Sequence, residues 1–135
     1  MTTLYLAATG PRDAEEVWER YARPALWSTW APQVRRVEVD TERLVGGESG
    51  RVHGPLWLSA EFEVDSWDEE AQRWSWTVRP RAALLPAVPM PRLHLCHGVR
   101  ATGAGTLTWL RLDGPLPLVT PYAPVARLAL HRLVH

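Results

Sequence analysis

The sequence predicts an α+β fold in which a curved antiparallel sheet of six to seven strands surrounds a long C-terminal helix, with two short helices after the first strand. Three observations predict it. Short segments of alternating apolar and polar residues follow one another from residue 33 to residue 113, with no long helix between them. An apolar stripe at helical spacing precedes them. An amphipathic segment follows them to the end of the 135 residues.

The first strand and the short helices occupy residues 2–32. Residues 2–9 alternate in polarity, which predicts a strand that ends at Gly10-Pro11. Pro11 then opens a predicted helix through residue 22, because proline suits the first helical turn. Pro24 ends this helix, and residues 24–32 predict one further helical turn. The apolar stripe of the first helix consists of Ala14, Val17, Trp18 and Tyr21.

Six strand-like segments form the rest of the predicted sheet. Residues 57–67 are the clearest, because an apolar row from Leu58 to Val64 alternates with an acidic row that contains Glu61, Glu63 and Asp65. This alternation predicts one buried face and one solvated face. The predicted strands are residues 33–40, 51–53, 57–67, 72–79, 92–101 and 106–113.

The last segment predicts a helix from about Thr120 to Val134. Thr120 is a suitable N-cap and Pro121 a suitable first residue. One face of this helix is apolar, so we expect it to pack on the sheet. That face consists of Tyr122, Val125, Ala126, Ala129, Leu130, Leu133 and Val134.

Composition excludes several classes of protein. Fifteen basic residues balance fifteen acidic ones, so no nucleic acid partner is indicated. The sequence contains no run of about 18 apolar residues, so stable membrane insertion is not predicted. The single cysteine excludes an intrachain disulfide, and no signal peptide precedes the first strand, so we expect a cytoplasmic protein. We find neither a linker nor a repeat, and we therefore predict one domain over residues 1–135.

A family resemblance rests on six motifs in order. Val17-Trp18 on the first helix is followed by W-x-x-W-x-P at residues 27–32. FEVDSW at residues 62–67, WSW at 74–76, G-T-x-T at 105–108 and DGPL at 113–116 continue the match. Over nearly its whole length the chain resembles the START-like superfamily, also labelled SRPBCC or polyketide cyclase/dehydrase, which has a helix-grip fold. It departs from that pattern in a short last helix with two prolines and a long apolar loop at residues 80–91.

The resemblance implies a ligand class and not a reaction. Members bind lipids, sterols, plant hormones or polyketides, and some are aromatase/cyclases. We therefore predict an internal cavity for a small hydrophobic molecule, aromatic or polyketide-like, with no cofactor. One alternative is a cyclase or dehydratase whose cavity groups move protons. Another is an interaction module on the outer sheet face around Trp109, which would be exposed there and available for a homodimer.

The candidate site residues follow from strand parity and from the aromatic content. His97 shares a face with Leu93 and Leu95, so it is either a core histidine or a cavity acid/base. Arg51 and His53 share one face of their strand, and whether they point inward is open because Val52 competes for the core. The catalytic candidates are therefore His97, His53 and Arg51. The predicted ligand-binding residues are Trp30, Trp57, Phe62, Trp74, Trp76, His97 and Tyr122.

The proline-rich loop at residues 80–91 is predicted to close the cavity mouth. Four prolines prevent it from extending the sheet. Its apolar residues must nevertheless be shielded from water. Because the flanking strands contain Trp76 and His97, we expect these residues to pack over the cavity mouth. A metal site is not predicted, because the H-x-C-H of residues 94–97 lacks further ligands nearby. The gate residues are Leu84, Leu85, Val88 and Met90.

Overall fold

The computed structural model describes residues 2–55, 58–82 and 91–135. Within them one antiparallel sheet contains seven strands in the order β1-β7-β6-β5-β4-β3-β2. Three helices accompany the sheet, which confirms the predicted α+β fold. The strands are β1 Thr2–Gly10, β2 Arg36–Glu38, β3 Ser49–His53, β4 Leu58–Asp68, β5 Arg73–Ala82, β6 Leu93–Thr102 and β7 Gly105–Gly114. The helices are α1 Ala14–Ala22, α2 Trp27–Trp30, which follows a 3-10 turn at Pro24–Leu26, and α3 Leu116–Val134.

The helices pack on the inner face of the sheet. Helix α3 contacts β1 and β7, and α1 contacts β6 and β7. Alternate residues of β7 supply buried side chains to this layer, as the strand parity predicts. Burial of apolar surface between the two layers stabilises the fold, at about 25 cal/mol per Å². The inward residues of β7 are Thr106, Thr108, Leu110 and Leu112.

Two predicted helix starts are wrong. Helix α3 begins at Leu116, so Thr120 is not its cap and Pro121 is not its first residue. The run of Pro115, Leu116 and Pro117 already opens the helix, since proline has no backbone N–H group and the first helical turn does not need one. Pro121 instead lies inside the helix, where it removes a backbone donor. The helix therefore has 19 residues and is not short.

The start of α1 also differs from the prediction. This helix begins at Ala14 and not at Pro11, and Asp13 is its N-cap residue. The carbonyl of Asp13 accepts the first helical hydrogen bond from the Val17 amide at 3.0 Å. Strand β2 is likewise shorter than predicted. It spans only Arg36–Glu38, because this edge segment pairs with β3 over three residues.

The outer face of the sheet is polar. Glu61, Glu63 and Asp65 lie on it, as the alternation predicts, and Arg51 pairs with Glu61 at 3.0 Å. Trp109 also lies on this face, but it is half-buried rather than exposed. A Cβ on Gly98 would lie 2.2 Å from its ring, so glycine lets the indole lie flat on the neighbouring strand.

A carboxylate clamp ties α1 to the turn between β4 and β5. Glu69 accepts hydrogen bonds from Trp18 Nε1 at 2.7 Å and from Trp67 Nε1 at 2.9 Å. Arg43 bridges the same carboxylate and Glu19. Burial alone would raise the pKa of Glu69, but the hydrogen bonds from Trp67, Trp18 and Arg43 outweigh burial and lower it. The clamp therefore depends on an ionised carboxylate.

Candidate functional site

A chamber of about 410 Å³ lies between the inner face of strands β3–β6 and helix α3. Its volume falls within the range of small-molecule pockets, roughly 300–1,000 Å³. The only charged residue among the described residues that line it is Arg81, which is 55% exposed and bonds to Glu61. The chamber is therefore apolar inside and charged only at its edge. Its apolar walls include Val52, Ala60, Trp76, Val78, Leu95 and Val125.

Small side chains create this space. Val52 on β3 stands opposite Ala60 on β4, and Ala60 in turn stands opposite Pro80 on β5. None of the three can reach across to α3. Further along β5, on the same sheet face, the large rings of Trp74 and Trp76 fill the corresponding volume. The uneven distribution of side-chain size leaves a chamber at one end of the layer.

An aromatic cluster separates the chamber from the filled core. The Trp76 ring lies 5.1 Å from that of Trp74, 5.2 Å from that of Trp27 and 5.5 Å from that of Phe62, measured between centroids. Offset and edge-on rings at such distances attract one another. Trp76 is the member of this cluster that lines the chamber.

A recess of about 30 Å³ adjoins the chamber. Four side chains line both spaces, so the recess and the chamber lie side by side: Gln33, Val34, Trp76 and Tyr122. Trp30, Trp74 and His97 also line the recess. No Asp, Glu, Lys or Arg is among its described lining residues. The recess is therefore uncharged, with a few polar atoms set among aromatic rings.

His97 is one of the polar residues that line the recess. Its ring stacks on Trp74 with centroids 4.9 Å apart and planes 15° apart. Trp76 Nε1 donates a hydrogen bond to His97 Nε2 at 3.1 Å. His97 Nδ1 has no partner among the described residues. Burial lowers the pKa of His97 to about 3, so the imidazole is neutral near pH 7.

Gln33 and Tyr122 form the second polar pair. Gln33 Nε2 donates a long hydrogen bond of 3.4 Å to the Tyr122 hydroxyl oxygen. Burial raises the pKa of Tyr122, so this hydroxyl keeps its proton at neutral pH. In the described part of the chain, Gln33 Oε1 and Trp74 Nε1 are buried without hydrogen-bond partners.

The structure brings five of the predicted ligand-binding residues to the recess: Trp30, Trp74, Trp76, His97 and Tyr122. Phe62 is buried against Trp27 and Trp76 and lines neither the recess nor the chamber. Trp57 and the proposed gate residues Leu84, Leu85, Val88 and Met90 lie outside the described residues.

Arg51 and His53 lie away from the chamber. Val52 between them faces the chamber, so by strand alternation their side chains point to the other face. Arg51 is exposed and pairs with Glu61. His53 Nε2 lies 3.2 Å from a carboxylate oxygen of Glu38. Neither side chain points into the chamber, so neither is placed to polarise a ligand there.

Sequence reasoning missed Gln33 and most of the apolar chamber wall. Gln33 stands between Pro32 and Val34 in a segment assigned to a strand, and its neighbours gave no sign that it reaches α3. The small inward residue Ala60 could have been found, because it shares strand parity with Phe62 and Val64.

No candidate metal site is found in residues 2–55, 58–82 and 91–135. Those ranges contain no group of three His, Cys, Asp or Glu residues that could hold an ion. Cys96 is half-buried, and burial raises the pKa of its thiol, which disfavours a thiolate nucleophile. None of the helices in the same ranges is both long and apolar enough to cross a bilayer.

Comparison with known families identifies the class. The family described as polyketide cyclase/dehydrase and lipid transport matches residues 1–134. The chain therefore belongs to this family, and the START-like resemblance of its motifs is confirmed. No curated protein matches the sequence.

Solved structures confirm the helix-grip fold. The chain is similar to Ara h 8.0201, with a TM-score of 0.74, 10% identity, and coverage of 98% of this chain and 94% of that one. It is also similar to protein CV1439 from Chromobacterium violaceum, with a TM-score of 0.76, 12% identity, and coverage of 99% and 96%. DynU16, a protein in the dynemicin biosynthetic locus, gives a TM-score of 0.70 and 17% identity over 94% of this chain and 45% of its own.

Proposed function

We propose that this protein binds one small hydrophobic molecule, aromatic or polyketide-like, in the chamber between the sheet and α3. The chamber of about 410 Å³ carries the proposal, because its inner walls are apolar and include Trp76. Apolar walls with a few polar groups at one end are typical of small-molecule sites. The family description, which includes lipid transport, supports the same class of ligand.

The site supports binding better than proton-transfer catalysis. A general acid or base works best with a pKa near the working pH. Burial moves the pKa of His97 down to about 3 and that of Tyr122 up. Both groups therefore keep one protonation state near pH 7. They can orient a ligand through hydrogen bonds without exchanging a proton with it.

A fluorescence titration tests the proposal. Fluorene, a neutral three-ring hydrocarbon, is added to the protein while tryptophan emission is recorded. We expect a saturable change with one molecule bound per chain, because Trp76 lines the chamber. Trp76→Ala should weaken the binding. Trp109→Ala is the matched control, since Trp109 lies on the outer face and should leave the affinity unchanged.

Two outcomes would contradict the proposal. One is an emission that fluorene does not change in a saturable way, with calorimetry also showing no binding. The other is an equal loss of affinity in the Trp76 and Trp109 variants, which would place the ligand elsewhere. Thermal melting of both variants establishes that each is folded before its affinity is compared.

A further inference from the structure

The tautomer of His97 follows from its partner. An indole N–H group can only donate a hydrogen bond. Because Trp76 Nε1 donates to His97 Nε2 at 3.1 Å, that nitrogen must be the acceptor. In the neutral imidazole the ring proton therefore resides on Nδ1. His97 thus brings a hydrogen-bond donor, and not an acceptor, to the residues that line the recess.

Among the side chains that line the recess, donors without a partner outnumber acceptors without one. His97 Nδ1–H and Trp74 Nε1–H have no acceptor within the described ranges. The Tyr122 hydroxyl accepts from Gln33, so its own proton remains available. Against these three donors stands one free acceptor, Gln33 Oε1. Buried donors without acceptors destabilise a protein. A ligand that supplies an acceptor oxygen therefore complements this recess.

Charge and size narrow the ligand further. No Asp, Glu, Lys or Arg lines the described recess, so an ionised group would be buried there without a counter-ion. The recess, at about 30 Å³, is far smaller than the chamber of about 410 Å³, so it suits a small polar group of the ligand rather than its whole ring system. The ring system must then occupy the larger apolar chamber next to Trp76.

We infer that the ligand is a neutral aromatic ketone or quinone whose rings occupy the chamber and whose carbonyl oxygen enters the recess to accept a hydrogen bond from His97 Nδ1–H. This inference rests on the proposed binding function and specifies its ligand class. A carbonyl oxygen has two lone pairs and no proton, so it can accept hydrogen bonds and adds no further unpaired donor.

A matched pair of probes tests the inference. Fluorenone and fluorene share one three-ring frame and differ in a carbonyl group that replaces a methylene group. The ratio of their dissociation constants is compared between wild type and His97→Phe, so that the different hydration of the two probes cancels. We expect the preference for fluorenone to fall about tenfold in the variant, which corresponds to one buried hydrogen bond. His94→Phe, an exposed histidine of the same strand, should leave the ratio unchanged.

A measurement on the wild-type protein removes any dependence on how well His97→Phe folds. Histidine ¹⁵N NMR should show His97 protonated at Nδ1, with a resonance that fluorenone shifts and fluorene leaves in place. A proton on Nε2, or equal shifts with both probes, would overturn the inference. So would an equal preference for fluorenone in both proteins, although the proposed function would then stand. Binding of neither probe would overturn the inference and the proposed function together.

Discussion

Partly filling the chamber provides a strong test, because it should increase stability while it weakens binding. Ala60 lines the chamber on β4, opposite Val52 and Pro80. Replacing it with leucine extends a branched side chain into the space that α3 leaves open. In a filled core the same change would overpack its neighbours and destabilise the fold by about 1–3 kcal/mol.

The expected magnitude follows from the added carbons. Leucine has three more carbons than alanine, and each is worth about 0.8 kcal/mol when fully buried. Residue 60 is half-buried. We therefore expect Ala60→Leu to raise the free energy of unfolding by about 1 kcal/mol rather than by the full sum. The same side chain occupies ligand volume, and we expect the affinity for fluorene to fall at least about tenfold, or roughly 1.4 kcal/mol.

Urea denaturation and calorimetry measure the two effects. Ala7→Leu is the matched control, since Ala7 is exposed on the outer face of β1, and it should change stability by less than about 0.5 kcal/mol. It should also leave fluorene affinity unchanged. A loss of stability above about 1 kcal/mol in Ala60→Leu would refute the open chamber. Unchanged affinity with raised stability would show that the ligand binds elsewhere.

Three further predictions follow from other contacts. The pKa of His97 is lowered in the folded state, so the contribution of its neutral form to stability is present above pH 6.5 and is lost as the pH falls toward 3. Between pH 6.5 and 4.5 we therefore expect the free energy of unfolding, measured by urea denaturation, to fall by about 2 kcal/mol. His97→Phe should lack this loss. The pKa of Glu69 is also lowered, so its contribution to stability is present above pH 4.5 and is lost below it. The free energy of unfolding of Glu69→Gln should be about 1 kcal/mol below that of wild type at pH 7, and it should change less on acidification. Gly98→Ala should lower the melting temperature and shift Trp109 emission to the red, because the new Cβ would overlap the indole; an unchanged spectrum would contradict that packing.

The architecture was predictable because each element has a local pattern. Residues 57–67 alternate apolar and polar side chains, and β4 is observed at Leu58–Asp68 with Phe62 and Val64 buried. The start of α3 was not predictable in the same way. Thr120 followed by Pro121 has the pattern of a helix cap, yet Leu116 and Pro117 satisfy the requirements of a first turn equally well. Packing on β7 and β1 decides between them, and local sequence does not contain that information.

The candidate site was only partly predictable for a related reason. Parity placed Trp74, Trp76 and His97 on the inner face, where they are found. The stacking of His97 on Trp74 depends on the register between β5 and β6, which sets these two residues opposite each other. Register is decided by tertiary pairing across a long connection. An unfilled volume is likewise a property of many side chains together, so parity places Ala60 on the inner face but does not reveal a chamber there, and Gln33 carried no local signal of its role.

Chemical-shift mapping tests the central claim most directly. Proton–nitrogen correlation spectra of the ¹⁵N-labelled protein are recorded during titration with fluorene. We expect the shifts to concentrate on the amides of Val52, Ala60 and Val125 and on the indole N–H of Trp76. The resonances of the Trp109 indole N–H and of the Tyr5 amide, which lie on the exposed outer face, should not shift. Shifts centred on Trp109 and Tyr5, with the chamber residues unchanged, would contradict a ligand site beneath α3 and would indicate the outer face of the sheet instead.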